Sequence, residues 1–135
     1  MEHISYDDFK KVDVRVGKIL SVEDVPDTDK LLKLSVDFGP KAVVALDPEN
    51  LSVEGGETQP APVEERDIRQ IVSGIKLKVE DPQSLVGMKT TFVVNLEPRM
   101  IKGLESNGML FAAGGDEHFS FLVPQKDIPE GSRTS

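Results

Sequence analysis

Arg99 and Lys102 stand three positions apart in a polar, glycine-bearing stretch, Asn95-Leu96-Glu97-Pro98-Arg99-Met100-Ile101-Lys102-Gly103-Leu104-Glu105-Ser106-Asn107-Gly108-Met109. A loop of this composition can turn a guanidinium fork, an ammonium, hydroxyls and backbone N–H groups towards phosphate oxygens. The plainer reading is an ordinary loop with surface cations that contribute little. Ser73-Gly74 offers a hydroxyl, but in a strand context with no neighbouring base, so nucleophilic catalysis is not expected. Asp27-Thr28-Asp29 reads as a turn whose carboxylates bond nearby N–H groups, because a Ca²⁺ loop needs further spaced oxygens. Glu64-Glu65 and Glu80-Asp81 sit in loops, where nothing would drive their pKa values apart for acid–base work. The chain therefore shows no catalytic residue, and no enzyme is expected.

Composition narrows the chemistry further. The 135 residues contain no cysteine and two histidines, His3 and His118, far apart in sequence. Thiol chemistry is excluded, a zinc centre lacks ligands, and no metal or cofactor is expected. With 16 Lys+Arg against 24 Asp+Glu, the formal net charge is -8. That balance argues against an indiscriminate polyanion binder. One tyrosine, six phenylalanines and no tryptophan make serial base stacking a poor fit. No apolar run approaches the roughly 18 residues of a membrane span, and the polar start is unlike a signal peptide. A cytoplasmic protein with no membrane partner is expected.

Charge is unevenly placed. Residues 40–67 hold seven acids against Lys41 and Arg66, and Gly55-Gly56 and Pro60-Ala61-Pro62 mark them as an acidic, flexible insertion at about 40–67. Residues 69–102 hold six bases (Arg69, Lys76, Lys78, Lys89, Arg99, Lys102) and three acids. A small basic site on an otherwise acidic surface is the expectation, because a few phosphate contacts position a nucleic acid whose shape is fixed.

The positioning elements follow from periodicity. Ser5 with Asp8 caps a short helix carrying Tyr6 and Phe9 on one side. Val12, Val14, Val16, Leu20 and Val22 share a parity, which predicts a half-buried strand bent or bulged at Gly17. Leu32, Leu34, Val36 and Phe38 predict a second strand, ended by Gly39-Pro40, and Ala42–Leu46 a small strand or helical turn. Ile71, Ser73, Ile75, Leu77 and Val79 predict a third strand over Arg69–Val79, with Lys76 and Lys78 on its solvent face. Asp81-Pro82 starts a short helical turn closed by Gly87. Thr90–Leu96 follows as a strand with Phe92, Val94 and Leu96 inward, then a loop over Pro98–Gly108. Short strands at Met109–Ala113 and Phe119–Val123 complete the pattern. Five strands with a helix between the third and fourth is the order of an OB-fold, an all-β, five-stranded Greek-key barrel. One domain over residues 1–135 is expected.

The motifs carry a resemblance. Asp8-Phe9-Lys10-Lys11-Val12-Asp13-Val14-Arg15-Val16-Gly17-Lys18-Ile19 is followed by Pro26-Asp27-Thr28-Asp29-Lys30-Leu31 and Arg69-Gln70-Ile71-Val72-Ser73-Gly74-Ile75. Leu85-Val86-Gly87, Asn95-Leu96-Glu97-Pro98-Arg99, Gly103 to Leu110 and Pro129-Glu130-Gly131 then come in the same order. Together they resemble the tRNA-binding domain appended to methionyl-tRNA synthetases, which also occurs in free-standing tRNA-binding proteins. The resemblance implies an OB-fold that binds tRNA by shape near the outer corner of the L. It implies a methionyl-tRNA synthetase catalytic part as partner, and a homodimer joined through terminal elements. The tRNA-facing residues it implies are Lys30, Ser73, Asn95, Arg99, Lys102, Ser106 and Met109, to which the charge pattern adds Lys76 and Lys78. Arg99 and Lys102 would reach phosphate, Asn95 and Ser106 would hold the loop as much as touch RNA, and Met109 fits core or contact. The sequence departs from the family at the long insertion, at Val25 and at Leu77-Lys78-Val79. The alternative on the same barrel is a protein-interaction or chaperone-like module without tRNA affinity.

Overall fold

A computed structural model describes residues 1–40, 65–115 and 117–135. Helix α1 (Tyr6–Lys10) begins where Ser5 Oγ accepts the Asp8 N–H at 3.0 Å, as the capping pattern predicts. The long strand β1 (Val14–Asp24) leads to β2 (Leu32–Pro40) and β3 (Arg66–Ser73). After two 3-10 turns, Lys76–Lys78 and Pro82–Leu85, comes β4 (Lys89–Val93). Short strands β5 (Arg99–Ile101), β6 (Leu104–Ser106), β7 (Met109–Leu110), β8 (Ala112–Ala113) and β9 (Ser120–Phe121) follow. The main antiparallel sheet runs β3-β2-β1-β4-β7, and its ends approach through contacts of β3 with β6 and β7. This curled all-β sheet, with a helical turn between β3 and β4, is the expected OB-type architecture.

β1 is shared between two neighbours. Its first half, Val14 to Lys18, pairs with β4, and its second half, Lys18 to Asp24, pairs with β2. The C-terminal segment takes the side of the first half that β2 leaves open. Val16 N–H donates to Ser132 O at 2.9 Å, Gly131 N–H to Val16 O at 2.6 Å and Thr134 N–H to Val14 O at 2.9 Å. The expected bend or bulge at Gly17 lies instead further on: Gly17 pairs regularly with Thr90, and the glycine is needed for space, because a Cβ would lie 2.5 Å from Val36 Cγ1 and 2.7 Å from Phe38 Cε1.

An irregularity after Ile19 corrects the expected parity. Ile19 and Val22, not Leu20, enter the core with Leu32, Leu34, Val36, Phe38, Ile71, Ile75, Leu85, Phe92 and Val94. Val14 and Val16 are buried apart from that cluster, and Leu20 is 37% exposed. The pairing of β1 with β2 shifts register between Ile19 and Ser21, so one alternation cannot run through the strand. Phe38 and Phe92 meet edge to face in the core, with centroids 5.5 Å apart.

Four further expectations change. The third strand begins at Arg66 and stops at Ser73, so Lys76 and Lys78 lie on a 3-10 turn and Leu77 is 72% exposed. The fourth strand stops at Val93, which leaves Leu96 outward. The predicted loop over 98–108 contains the β5–β6 hairpin. The single strand expected at Met109–Ala113 is split: β7 pairs with β4 and β8 with β9. Of the expected insertion at about 40–67, residues 41–64, including Ala42–Leu46, lie outside the described residues.

Candidate nucleic-acid interface

The β5–β6 hairpin is closed by Lys102 and Gly103, with φ of +51° and +80°. Positive φ at both turn residues is the type I′ geometry, whose twist matches that of the flanking strands. Ile101 pairs with Leu104, Met100 with Glu105 and Arg99 with Ser106. The fold thus lifts Arg99 and Lys102 onto a projecting hairpin, both exposed. Among the described residues neither has a carboxylate partner, nor does Lys30. Within that set all three cations are open to a ligand.

Lys30 lies on the loop between β1 and β2. One shallow groove is lined by Asp27, Asp29, Lys30 and Leu31 on that side and by Ile101 and Lys102 on the hairpin side. Asp27 adopts φ +63°, and Thr28 Oγ1 donates to Val25 O at 2.9 Å, so the Asp27-Thr28-Asp29 stretch is a tight turn held by the threonine and, among the described residues, not by the expected carboxylate bonds to N–H groups. Lys76 N–H donates to Lys30 O at 3.0 Å, which couples the 3-10 turn to this loop. Ser73 ends β3 opposite Leu32. The expected lysine face is therefore replaced by two separate settings. Lys76 Nζ is 3.3 Å from Asp24 Oδ1, and Lys78 Nζ is 5.1 Å from the centroid of Phe119.

Ser106 and Asn95 are committed to the fold. Ser106 is buried; its Oγ accepts the Val72 N–H at 3.0 Å and donates to Gly108 O at 3.1 Å. Asn95 turns away from the hairpin: Oδ1 accepts the Asp13 N–H at 2.9 Å and Nδ2 donates to Lys11 O. It fastens the connection between α1 and β1 to the segment that follows β4. Met109 is 47% exposed and shares a crevice with Arg99, Ile101, Ser106, Leu96 and Val72.

Gln70 received no role from the sequence. Its Nε2 donates to Glu105 O at 2.9 Å, and its carbonyl accepts the Asn107 N–H at 2.8 Å. Nothing local signals this, because the partners are 35 and more residues downstream.

Two charge networks involve the C-terminal segment, through Arg133 and through Asp127 and Glu130. Arg15 donates to both Asp13 oxygens at 3.0 Å, and this hydrogen bonding, with Arg15, Arg133 and Arg69 nearby, holds the Asp13 carboxyl below its usual range despite some burial. The same bond raises the Arg15 guanidinium. In the second network Arg66 bridges Asp37 at 2.7 Å and Glu130 at 3.1 Å, while Lys89 holds Asp127 at 2.6 Å and Glu130 at 3.2 Å. Burial pushes Glu130 up, but the hydrogen bond from Lys89 and its charge carry it below the usual range. Lys89 also lowers Asp127, and is itself raised by that hydrogen bond.

No helix among the described residues is long and apolar enough to cross a membrane. No group of three or more acids or histidines there could hold a metal ion.

Comparison with known proteins supplies the context. The family described as "Putative tRNA binding domain" matches residues 62–133. The methionine–tRNA ligase of Methanocorpusculum labreanum is 43% identical over 132 residues, covering 98% of this chain and 15% of the ligase. That of Thermococcus kodakarensis is 35% identical over 133 residues, covering 98% of this chain and 14% of the ligase. The chain thus spans about 15% of the length of the curated relatives it matches. The crystal structure of a MetRS-related protein from Pyrococcus horikoshii superposes with a TM-score of 0.74 at 32% identity, covering 100% of both chains. The chaperone CsaA of Bacillus anthracis shares the fold, with a TM-score of 0.70 at 21% identity over 99% of this chain and 100% of its own.

Proposed function

From the premise that this chain belongs to the tRNA-binding domain family, we propose that it is a tRNA-binding module that reads the outer corner of the L by shape. It carries out no catalysis of its own and works as one domain in the cytoplasm. The observation that carries the reading is the hairpin, which presents Arg99 and Lys102 without carboxylate partners among the described residues and sets Lys102 across a groove from Lys30. Unpaired cations on a projecting element meet phosphates without first breaking an ion pair. Lys76 and Lys78, joined to the Lys30 loop, extend the contact, and Ser73 and Met109 border it.

The match to methionine–tRNA ligases supports a methionyl-tRNA synthetase catalytic part as partner. Tethering or pairing would raise the local tRNA concentration at that catalytic part. Tyr6, Phe9 and Val12 leave an apolar face beside Arg133 and Thr134, which suits a homodimer joined through the terminal elements. The same face favours the second reading, a protein-interaction or chaperone-like module.

Filter binding at low salt tests the choice. Intact tRNA should be retained in preference to an acceptor-arm hairpin of equal charge. No retention of folded tRNA, with capture of unfolded peptide instead, would sink the first reading and leave the second.

A further inference from the structure

We propose that Gln70 is a positioning residue for tRNA. Its side-chain amide fixes the angle at which the hairpin carries Arg99 and Lys102. The proposal rests on the tRNA-binding reading above.

A two-stranded hairpin of three residues per strand has little stability alone, so its direction is set by what it docks against. Here it docks on the outer edge of β3. Val72 N–H and Gln70 O point from that edge and are met by Ser106 Oγ at 3.0 Å and Asn107 N–H at 2.8 Å. Both bonds lie at the root of the hairpin, where the chain leaves for β7. They hold its base and leave the strand residues nearer the tip to other contacts.

The Gln70 amide reaches further towards the tip. It donates to Glu105 O at 2.9 Å, and Glu105 pairs across the hairpin with Met100, between Arg99 and Ile101. With Ser106 and Asn107 it makes a third attachment, displaced along β6, and that displacement is what opposes swinging. A shape-reading site depends on this. If the hairpin samples a wider arc, Lys102 at the tip is displaced most and Arg99 at the base turns with it; both keep their charge but must be ordered when RNA binds, and affinity falls.

Full-length chain, Gln70→Met and Gln70→Ala are titrated with intact tRNA across a salt series. Both substitutions should weaken binding about three- to tenfold, the range for one neutral hydrogen bond. The salt slope should stay unchanged, because no phosphate contact is deleted. Hydrogen exchange at the amides of residues 100–105 should quicken, while the β2–β3 ladder around Leu34 and Ile71 keeps its protection. The decisive arm repeats Gln70→Met in an Arg99→Ala/Lys102→Ala background. A residue that acts through those cations should cost nothing further there. An undiminished loss in that background, or unchanged affinity in both Gln70 variants, overturns the proposal. Failure of the tRNA reading looks different: the unsubstituted chain then retains no tRNA at all, and the role of Gln70 falls with it.

Discussion

Gly39 and Gly131 cross backbone to backbone, and neither position has room for a side chain. A Cβ on Gly39 would collide with the carbonyl oxygen of Glu130, and one on Gly131 with that of Phe38. Both sit at positive φ, +87° and +90°. This crossing lets the C-terminal segment lie against the open side of β1 while β2 passes beside it. Alanine at either position meets a rigid carbonyl as well as an unfavourable backbone region, which alone costs about 1–2 kcal/mol. Gly131→Ala and Gly39→Ala should therefore each lose more than about 2 kcal/mol in denaturant unfolding. A loss below about 0.5 kcal/mol, the scale of an ordinary surface substitution, would contradict the crossing.

The ion pairs that fasten this segment predict an acid-sensitive attachment. Glu130 and Asp127 are held below the usual carboxylate range in the folded chain, and so is Asp13. A depressed folded pKa gives stability that is present above the unfolded value of about 4 and is lost as pH falls through the folded one. Stability should thus decline below about pH 4. Lys89, raised above its usual value, works with the opposite sign and loses its contribution only as strongly alkaline pH is reached. Glu130→Gln should flatten the acid limb of a stability–pH curve; an unaltered limb would show that Glu130 plays no part in it.

Ser106 and Asn95 should separate from the cations in their effects. Ser106→Ala leaves the buried Val72 N–H without its acceptor, a loss of about 1–3 kcal/mol in stability. Asn95→Ala frees α1 and should quicken hydrogen exchange near Asp13. Neither removes a charge, so the dependence of tRNA affinity on salt should keep its slope in both. A reduced slope in Ser106→Ala would mean that the serine itself contacts phosphate.

Much of the scaffold was legible where one face alone is buried. Leu32, Leu34, Val36 and Phe38 are all core, and the Ser5 cap is in place. Reading failed where alternation outlived the strand. Ile75, Leu77 and Val79 continue the period of Ile71, but the chain turns after Ser73-Gly74. Leu20 was placed inward because an irregularity between Ile19 and Ser21 has no signature of its own. The hairpin was missed because Lys102-Gly103 is not one of the usual turn pairs. Asp37 sits on the polar parity of β2 yet is buried, since Arg66 and the C-terminal segment cover it. The motifs located the cations. They could not assign Asn95 to α1, because its partners lie 82 and 84 residues away in sequence.

Lys102 holds a conformation that suits its place on the turn better than its side chain. Its φ of +51° lies in the left-handed region, where asparagine and glycine are at ease and lysine is not. Lys102→Asn should therefore leave the fold as stable as before or up to about 1 kcal/mol more stable. It should also remove one phosphate contact, lowering the salt slope of tRNA binding by about 0.7–0.9. Arg99→Ala with Lys102→Ala should lower it by about twice that. A gain in stability with a loss of affinity is the signature of a residue kept for its ligand and not for the fold. Denaturant unfolding beside tRNA titration measures both. If Lys102→Asn binds tRNA with an unchanged slope, the turn lysine makes no contact with RNA, and the hairpin must be read as presenting Arg99 alone.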